Sequence, residues 1–398
     1  MALMFTRRAL LQLGLALPGA AAASRTGLSA SWPQWEAYAA AFIQRDGRVI
    51  DDQHATRYTT SEGQAYSLFF ALVAGDRTRF ETLLDWTRDH LAGGDLGARL
   101  PGWRWGRHDD GQWGLVDANA ASDADLWLAY ALLEAGRLWR EPGWRRLGRR
   151  VLALSVEAEV VRAGGLTVLL PGPLGFRLDE DTVRLNPSYL VLPQLRRFAA
   201  EQPDGPWRDL AFDTVRCVQG AAPRGLAPDW VRLRAGRWLP DSTAPDVGSY
   251  DAIRCYLWAG LTHAGDPLRA PLLASLRGMA GVIRARGGVP PQHVNVRDGT
   301  GSGTAPSGFA AALLPCFHAL GDAAQAQAMA AIVNAARTAR QGPAGALPDA
   351  VAPSARLLAQ PEQPPTYYDQ VLALFGTGFM ARRYGFRADG SLWTVWRS

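Results

Sequence analysis

Carboxylic acids stand at the starts of three strongly apolar segments of this sequence. Glu62 lies in TTSEGQAY, which runs directly into SLFFALVA. Asp123 and Asp125 lie in ASDADLWLAYALL, and Asp251 lies in GSYDAIRCYLWAGL. When two such carboxyl groups meet in one site, their environments can keep one protonated and the other ionised, which allows one to donate a proton while the other accepts one. The residue types therefore point to acid–base chemistry if the fold brings them together.

Each acid also has a purely structural interpretation as part of a helix cap. Thr59 and Glu62 have the spacing of a capping box, and Ser122 with Asp123 suits an N-cap followed by a first-turn anion. Asp251 is placed similarly, where the helix dipole favours negative charge. The same dipole lowers the pKa of an acid, which helps a base and hinders a proton donor. We therefore expect a donor at Glu62 to depend on a neighbouring carboxylate such as Asp123.

The elements that would position these acids are helices joined by Gly- and Pro-rich loops. Apolar spacing and start and stop signals predict twelve helices, several of them separated by short loops such as AGDRT and AGDPL. Short loops make neighbouring helices antiparallel, so the sequence predicts an all-α (α/α)6 barrel of six hairpins. The predicted helices span 32–45, 60–74, 77–92, 121–138, 143–159, 187–201, 206–220, 249–263, 267–286, 306–320, 322–340 and 366–382.

In such a ring all even-numbered helices run the same way, so their N-termini gather at one mouth. Long loops precede most of these helices, and runs such as GLTVLLPG at 165–172 predict short strands within them. The mouth would collect the three acids together with aromatic rings, whose faces stack on the apolar faces of sugars. This convergence favours a glycosidase, which needs a pair of carboxylates, over chance capping. The aromatic residues are Tyr189, Tyr250, Tyr367 and Tyr368 at helix starts and Trp103, Trp105 and Trp113 in the loops.

Composition excludes several other classes of protein. The chain has 398 residues and a formal charge of +5, and every basic residue is Arg. The absence of Lys rules out a Schiff-base lysine and a P-loop lysine. The arginines are scattered, which predicts no nucleic-acid partner. Three cysteines in apolar helical patterns predict buried thiols, and six histidines without ligand spacing predict neither a metal nor a cofactor.

The N-terminus has the features of an export signal. Arg7 and Arg8 precede an apolar stretch and an Ala-rich segment, so residues 1–23 are predicted to be a signal peptide, either twin-arginine-like or of the general secretory type. A single domain at 24–398 would then be periplasmic or secreted. No later segment reaches the ~18 apolar residues that a membrane span requires.

An ordered set of motifs resembles glycoside hydrolase family 8. The set comprises TTSEGQAY, RLPGWRWG, DANAASDADLWLAYALLEAGRLW, NPSY and SYDAIR. The resemblance extends from about Trp32 to near the C-terminus, is weakest at 321–365, and is strongest to the periplasmic members encoded with bacterial cellulose synthase. It implies an (α/α)6 barrel and an inverting endo-β-1,4-glucanase that acts on cellulose or its oligosaccharides, with a possible association with the cellulose synthesis and export complex.

The resemblance also implies a role for individual residues. Glu62 matches the proton donor, Asp251 the general base, and Asp123 the carboxylate that holds the distorted sugar. An inverting pair of carboxyls is expected to lie ~6.5–9.5 Å apart. Asp125 is expected to be structural. The expected substrate-binding residues are Tyr250, Arg254, Tyr189, Trp105, Tyr368, Asn186 and Ser61. Two of them, Tyr250 and Arg254, are expected to position the base and its water.

Three alternatives stay open at this point. The same fold could act on xylan, chitosan or mixed-linkage glucan. The chain could also be a non-catalytic, glucan-binding accessory of an export complex. A polysaccharide lyase on the same barrel is a further alternative, and it would commonly use a Tyr or His base and release unsaturated products.

Overall fold

The computed structural model describes residues 31–51, 56–341 and 366–397. The predicted signal peptide and residues 342–365 lie outside these ranges. The helices are α1 (Pro33–Phe42), α2 (Ser61–Ala74), α3 (Arg77–Leu91), α4 (Ser122–Leu138), α5 (Pro142–Glu159), α6 (Leu192–Glu201), α7 (Trp207–Ala221), α8 (Ile253–Leu261), α9 (Arg269–Ala274), α10 (Gly278–Ala285), α11 (Ser307–Leu320), α12 (Ala323–Gln341) and α13 (Tyr367–Met380).

Six of these helices form an inner ring. Helices α2, α4, α6, α8, α11 and α13 pack each on the next, and Phe375 of α13 closes the ring against Tyr66 and Phe70 of α2. The remaining helices cover the outside of this ring. The all-α prediction of six hairpins is therefore confirmed.

Hydrophobic pattern explains which helices are inside. In α2 every residue from Ser61 to Val73 is buried except Glu62, so this helix is surrounded by protein on all sides. The outer helix α5 instead buries a single stripe that includes Val151 and Leu152. Large rings fill the centre, where Phe375 lies 5.0–5.4 Å, between centroids, from Trp127, Trp258 and Phe69. This aromatic core supports the ends of the inner helices at the mouth.

Short antiparallel strands occupy the loops at the mouth, as predicted. They form the sheets β1–β2–β3, β6–β7–β8 and β9–β10–β11 and the hairpin β4–β5. A further hairpin, β12–β13, lies at the opposite end, where Leu392 bonds Glu134 and Arg137 near the C-terminus of α4. The bounds of the strands are β1 (Thr59–Thr60), β2 (Arg104–Arg107), β3 (Trp113–Asp117), β4 (Val160–Ala163), β5 (Leu166–Leu169), β6 (Thr182–Leu185), β7 (Val231–Arg234), β8 (Arg237–Pro240), β9 (Val247–Gly248), β10 (His293–Asn295), β11 (Gly301–Ser302), β12 (Tyr384–Phe386) and β13 (Leu392–Thr394).

Three predicted helices differ from the structure. The helix predicted at 267–286 is broken into α9 and α10, where Gly278 donates its N–H to Gly225 O at 2.9 Å. A Cβ at Gly278 would lie 2.4 Å from Arg224 O, so this close backbone approach interrupts the helix. The helix predicted at 187–201 is a 3-10 turn followed by α6, because Pro193 lacks the N–H needed to continue the helix. The helix predicted at 249–263 begins only at Ile253, so Asp251 lies in the preceding turn.

The cap of α2 is Thr60, and the prediction of Thr59 was wrong by one residue. Thr60 Oγ1 accepts a hydrogen bond from Gly63 N at 3.0 Å. Thr59 instead belongs to β1, where its hydroxyl donates to Val49 O at 2.6 Å and accepts from Arg48 Nε at 2.9 Å. Both threonines pair across the β1–β2 ladder, and only the hydrogen bonds of their side chains separate their roles.

Replacing Thr60 with Ala is expected to lower the free energy of unfolding by about 1 kcal/mol, because the N-cap hydrogen bond is lost. Chemical denaturation would measure the change. Thr338→Ala is the control, since Thr338 is an exposed residue inside α12. Equal stability of the two variants would contradict the cap assignment.

None of the helices in the described ranges is long and apolar enough to cross a membrane. The three thiols, Cys217, Cys255 and Cys316, are buried and unpaired in α7, α8 and α11. The prediction that they are buried apolar residues is confirmed.

Candidate active site

One buried guanidinium brings the three predicted acids together. Arg254, in the first turn of α8, is 2 % exposed. Its Nη1 donates to Glu62 Oε2 and lies 3.4 Å from Asp123 Oδ2, and its Nη2 donates to Asp251 Oδ1 at 2.6 Å. The acids come from α2, α4 and the turn before α8, so the convergence of the N-termini of the inner helices at one mouth assembles the site.

The three carboxylates differ in their access to solvent. The side chain of Asp123 is 3 % exposed, while those of Glu62 and Asp251 retain 18 % and 30 %. Asp123 thus forms the floor of the site, and its neighbours reach into the open cleft. A group that attacks or protonates a substrate needs this access, and a group that holds a sugar from below does not.

Burial shifts the proton affinity of two of these acids. The pKa of Asp123 is raised well above its ordinary value, first by burial and then by the negative charge of Glu62, although Arg254 acts in the opposite direction. The pKa of Asp251 is also raised by burial, and Arg254 again offsets part of the increase. The predicted division of a neighbouring acid pair into a protonated and an ionised member has a physical basis here, since the deeper member, Asp123, resists ionisation.

Two residues around Arg254 were not predicted from the sequence. Arg254 Nη1 donates to Tyr66 OH at 3.2 Å, and Nη2 donates to Ser188 Oγ at 3.1 Å. Both oxygens are supplied by residues of the motifs TTSEGQAY and NPSY, which were noted for other positions. Tyr66 lies on α2 together with Glu62, while Ser188 adds a contact from the 3-10 turn before α6. These hydrogen bonds help to set the orientation of the guanidinium, and with it the positions of the acids.

Aromatic rings flank the acids. The rings of Tyr189 and Tyr368 lie 5.5 Å and 5.9 Å from the Arg254 guanidinium carbon. Tyr368 OH donates to Tyr250 O at 2.7 Å, and Gln292 Nε2 donates to Tyr250 OH at 2.9 Å. Tyr250 remains 40 % exposed, so its ring is available for stacking.

These groups line a cleft of about 550 Å³. Of the predicted residues, Glu62, Asp251, Tyr250, Arg254, Tyr189 and Tyr368 line it. Phe176, Arg184 and Trp230 also line it, although no pattern in the sequence singled them out. Phe176 and Trp230 lie parallel at 6.0 Å, and Arg184 covers Trp230 at 4.0 Å while paired with Asp241. Phe176 and Trp230 lie in loops, and Arg184 lies in the short strand β6.

Three predicted substrate-binding residues lie behind the wall of the cleft. Trp105 is stacked between its neighbours, with Trp113 at 5.0 Å. Asn186 is buried, and its Oδ1 accepts from Ser188 N at 3.0 Å. Ser61 is buried, and its N–H donates to Trp103 O at 2.9 Å. The partner of Asn186, Ser188, binds Arg254, and the partner of Ser61, Trp103, lines the cleft.

Two further acids near the mouth have structural surroundings. Asp125 is fully buried beside Glu159, and burial raises the pKa of both carboxyls well above their ordinary values. Asp369 accepts hydrogen bonds from Gly308 N and Ser307 Oγ and so joins α13 to the start of α11. Within the described ranges, no group of three or more His, Cys, Asp or Glu side chains is arranged to hold a metal ion.

A family model for glycosyl hydrolases family 8 matches residues 14–382. The chain belongs to this family. This family 8 glycoside hydrolase is 45 % identical to an endoglucanase of Xanthomonas axonopodis pv. citri over 99 % of this chain and 98 % of that one. It is 43 % identical to an endoglucanase of Pseudomonas fluorescens, with 92 % of each chain covered.

A solved structure supports the same assignment. The endo-1,4-D-glucanase of Vibrio fischeri ES114 superposes with a TM-score of 0.82 at 38 % identity, covering 92 % of this chain and all of that one. The (α/α)6 barrel and membership of an inverting glycoside hydrolase family, both expected from the motifs, are therefore confirmed.

Proposed function

We propose that this chain is an endo-β-1,4-glucanase that cleaves internal bonds of cellulose or of soluble β-1,4-glucan with inversion, using Glu62 as the general acid and Asp251 as the general base. The observation that carries the proposal is the contact of one buried guanidinium with three acids at the floor of an aromatic-lined cleft. The names of the relatives at 38–45 % identity support the β-1,4-glucan substrate.

The division of roles follows from where each acid lies. Glu62 and Asp251 bind different nitrogens of Arg254, so the guanidinium separates them instead of letting them touch. An inverting enzyme needs this separation, because a water molecule must fit between the base and the sugar. Glu62 would protonate the departing oxygen while Asp251 removes a proton from water on the opposite face.

Asp123 is proposed to hold the sugar whose bond is cleaved. Because its side chain is buried below Glu62 and its pKa is raised, it can donate or accept a hydrogen bond at the cleft floor without competing as the base. The negative charge of Glu62 also favours the protonated form of Asp123.

The cellular role is a further part of the proposal. Residues 1–23 would direct export, and the domain at 24–398 would act in the periplasm or outside the cell. The strongest motif resemblance is to enzymes encoded with cellulose synthase, so we propose that the chain acts on newly made cellulose beside the synthesis and export complex.

Product analysis tests this function. The purified enzyme is incubated with carboxymethyl cellulose, xylan, chitosan and mixed-linkage glucan, and the anomeric configuration of the first products is followed by NMR. We expect a rapid loss of viscosity with carboxymethyl cellulose and α-configured new reducing ends. Preferred cleavage of another glycan would support the first alternative, and β-configured products would contradict inversion.

The remaining alternatives give different results in the same assay. A non-catalytic accessory would bind cello-oligosaccharides without cleaving any substrate. A lyase would release unsaturated products that absorb in the ultraviolet.

A further inference from the structure

A second carboxylate holds the turn that carries Asp251. This turn, Ser249 to Ala252, precedes α8 and has no helical hydrogen bonds of its own for its first N–H groups. Asp229 Oδ1 accepts from Ser249 N at 2.7 Å and from Ala252 N at 2.8 Å. One oxygen of Asp229 thus binds both ends of the turn, and Asp251 lies between the two bonded positions.

The close approach of Asp229 to the turn depends on a glycine. Asp229 N donates to Val247 O at 2.7 Å, which places the 227–229 segment alongside β9. A Cβ at Gly248 would lie 2.3 Å from Ala227 O, so only glycine permits this distance. The turn is held from the other side by Ser249 Oγ, which donates to Gln292 O at 2.6 Å.

Asp229 also lies close enough to Asp251 for their charges to interact. Burial and the charge of Asp251 raise the pKa of Asp229 to about 6. The side chain is half-buried and accepts hydrogen bonds only from backbone N–H groups in the contacts described above. When ionised, Asp229 therefore brings a negative charge to the turn, and none of these hydrogen bonds comes from a positively charged side chain.

We propose that Asp229 is a positioning residue for Asp251: it fixes the turn that presents Asp251 to the cleft, and its negative charge makes Asp251 a stronger base. The inference rests on the proposed function, in which Asp251 removes a proton from water. Trp230, the residue after Asp229, faces Asp251 and lines the cleft, so the same short segment contributes to both the base and the binding surface.

The other charged groups around the two carboxylates come from several elements. Arg254 and Glu62 face Asp251 from α8 and α2. The neutral titratable groups are Tyr189, Tyr256, Tyr368 and Cys255, whose pKa values burial raises. These four groups stay uncharged over the range in which carboxylates titrate. Any change in the acidic limb of the activity profile after substitution of Asp229 therefore reflects a change in the ionisation of the carboxyl groups.

Asp229→Asn separates the charge from the hydrogen bonds. The amide oxygen of Asn can accept from the same two N–H groups, while the negative charge is lost. In the wild type Asp229 carries its charge only above its pKa of about 6, so kcat/KM should rise through that pH as Asp251 becomes a stronger base. Asp229→Asn should lack this rise, which moves its acidic limb to lower pH by about one unit. Because Asp251 is a weaker base in this variant, kcat on cello-oligosaccharides should fall by about 3–10-fold, with KM unchanged.

Two further variants complete the test. Asp229→Ala removes the hydrogen bonds as well, so kcat should fall further than in Asp229→Asn. Asp246→Asn is the matched control, because Asp246 directly precedes β9, the strand that Asp229 N contacts, and pairs with exposed Arg297. It should leave the limb in place. Circular dichroism verifies that each variant is folded.

The outcomes separate the two proposals. The wild-type profile must show an acidic limb, and activity must be lost in Asp251→Asn. If either fails, the assignment of Asp251 as the base is overturned. If both hold and Asp229→Asn keeps the wild-type limb, the electrostatic role of Asp229 is overturned, whether or not kcat falls.

Discussion

Glu62→Gln is expected to reduce kcat on cello-oligosaccharides by about 10²–10⁴-fold, which is the range for loss of a general acid. The amide cannot donate a proton to the departing glycosidic oxygen. The variant should still fold, because the Gln oxygen can accept the hydrogen bond that Arg254 Nη1 donates to Glu62. Initial rates on cellohexaose and thermal unfolding measure the two effects.

The leaving group distinguishes an acid from a structural residue. An aryl cellobioside with a dinitrophenyl leaving group needs little protonation, so Glu62→Gln should cleave it with a much smaller loss. Glu36→Gln is the matched control, since Glu36 is also a first-turn glutamate but lies exposed on α1. If Glu62→Gln keeps wild-type activity on cellohexaose, Glu62 is only part of the helix terminus.

Asp251→Asn is expected to reduce kcat by a similar factor for both kinds of substrate, because water must be deprotonated whatever the leaving group. The Asn oxygen can still accept from Arg254 Nη2, so the loss reflects basicity more than misplacement. A loss that depended on the leaving group would contradict the assignment of Asp251 as the base.

Added azide provides a second measurement for Asp251→Asn. Azide attacks the sugar without giving up a proton, so it should restore turnover and form an α-glycosyl azide that NMR can identify. Glu62→Gln should show no such rescue. Formation of the β-configured azide by Asp251→Asn would indicate that the nucleophile enters from the wrong face for inversion.

The sequence predicted the helices well because inner and outer positions have different hydrophobic patterns. The run that follows Glu62 is apolar on every side, and α2 is accordingly surrounded by protein. The interruptions within predicted helices were predicted less well. The interruption before Gly278 depends on its contact with Gly225, which is distant in sequence, so no local pattern could show it.

The candidate site was only partly predictable. Glu62, Asp123 and Asp251 could be chosen because acids at helix starts are expected to converge in an alternating ring. Ser188 and Tyr66 were not chosen, since a serine after a proline and a tyrosine within an apolar run have many ordinary structural roles. Only the fold shows that both bind the guanidinium of Arg254. Trp230 lies in a loop and Arg184 in the four-residue strand β6, where spacing predicts little.

The sequence by itself determined the helical order, the direction in which the acids face and the family to which the chain belongs. These depend on local apolar periodicity and on ordered motifs, both of which are properties of the chain alone. The tertiary structure decided that Arg254 joins the three acids, that Thr60 rather than Thr59 caps α2, and that Asp229 holds the turn of Asp251. The contacts of Arg254 with Glu62 and Asp123, and of Asp229 with the turn, join residues that are distant in sequence. The choice between the two threonines depends on the hydrogen bonds of Thr59 with Arg48 and Val49. Burial then sets which acid, Asp123, resists ionisation.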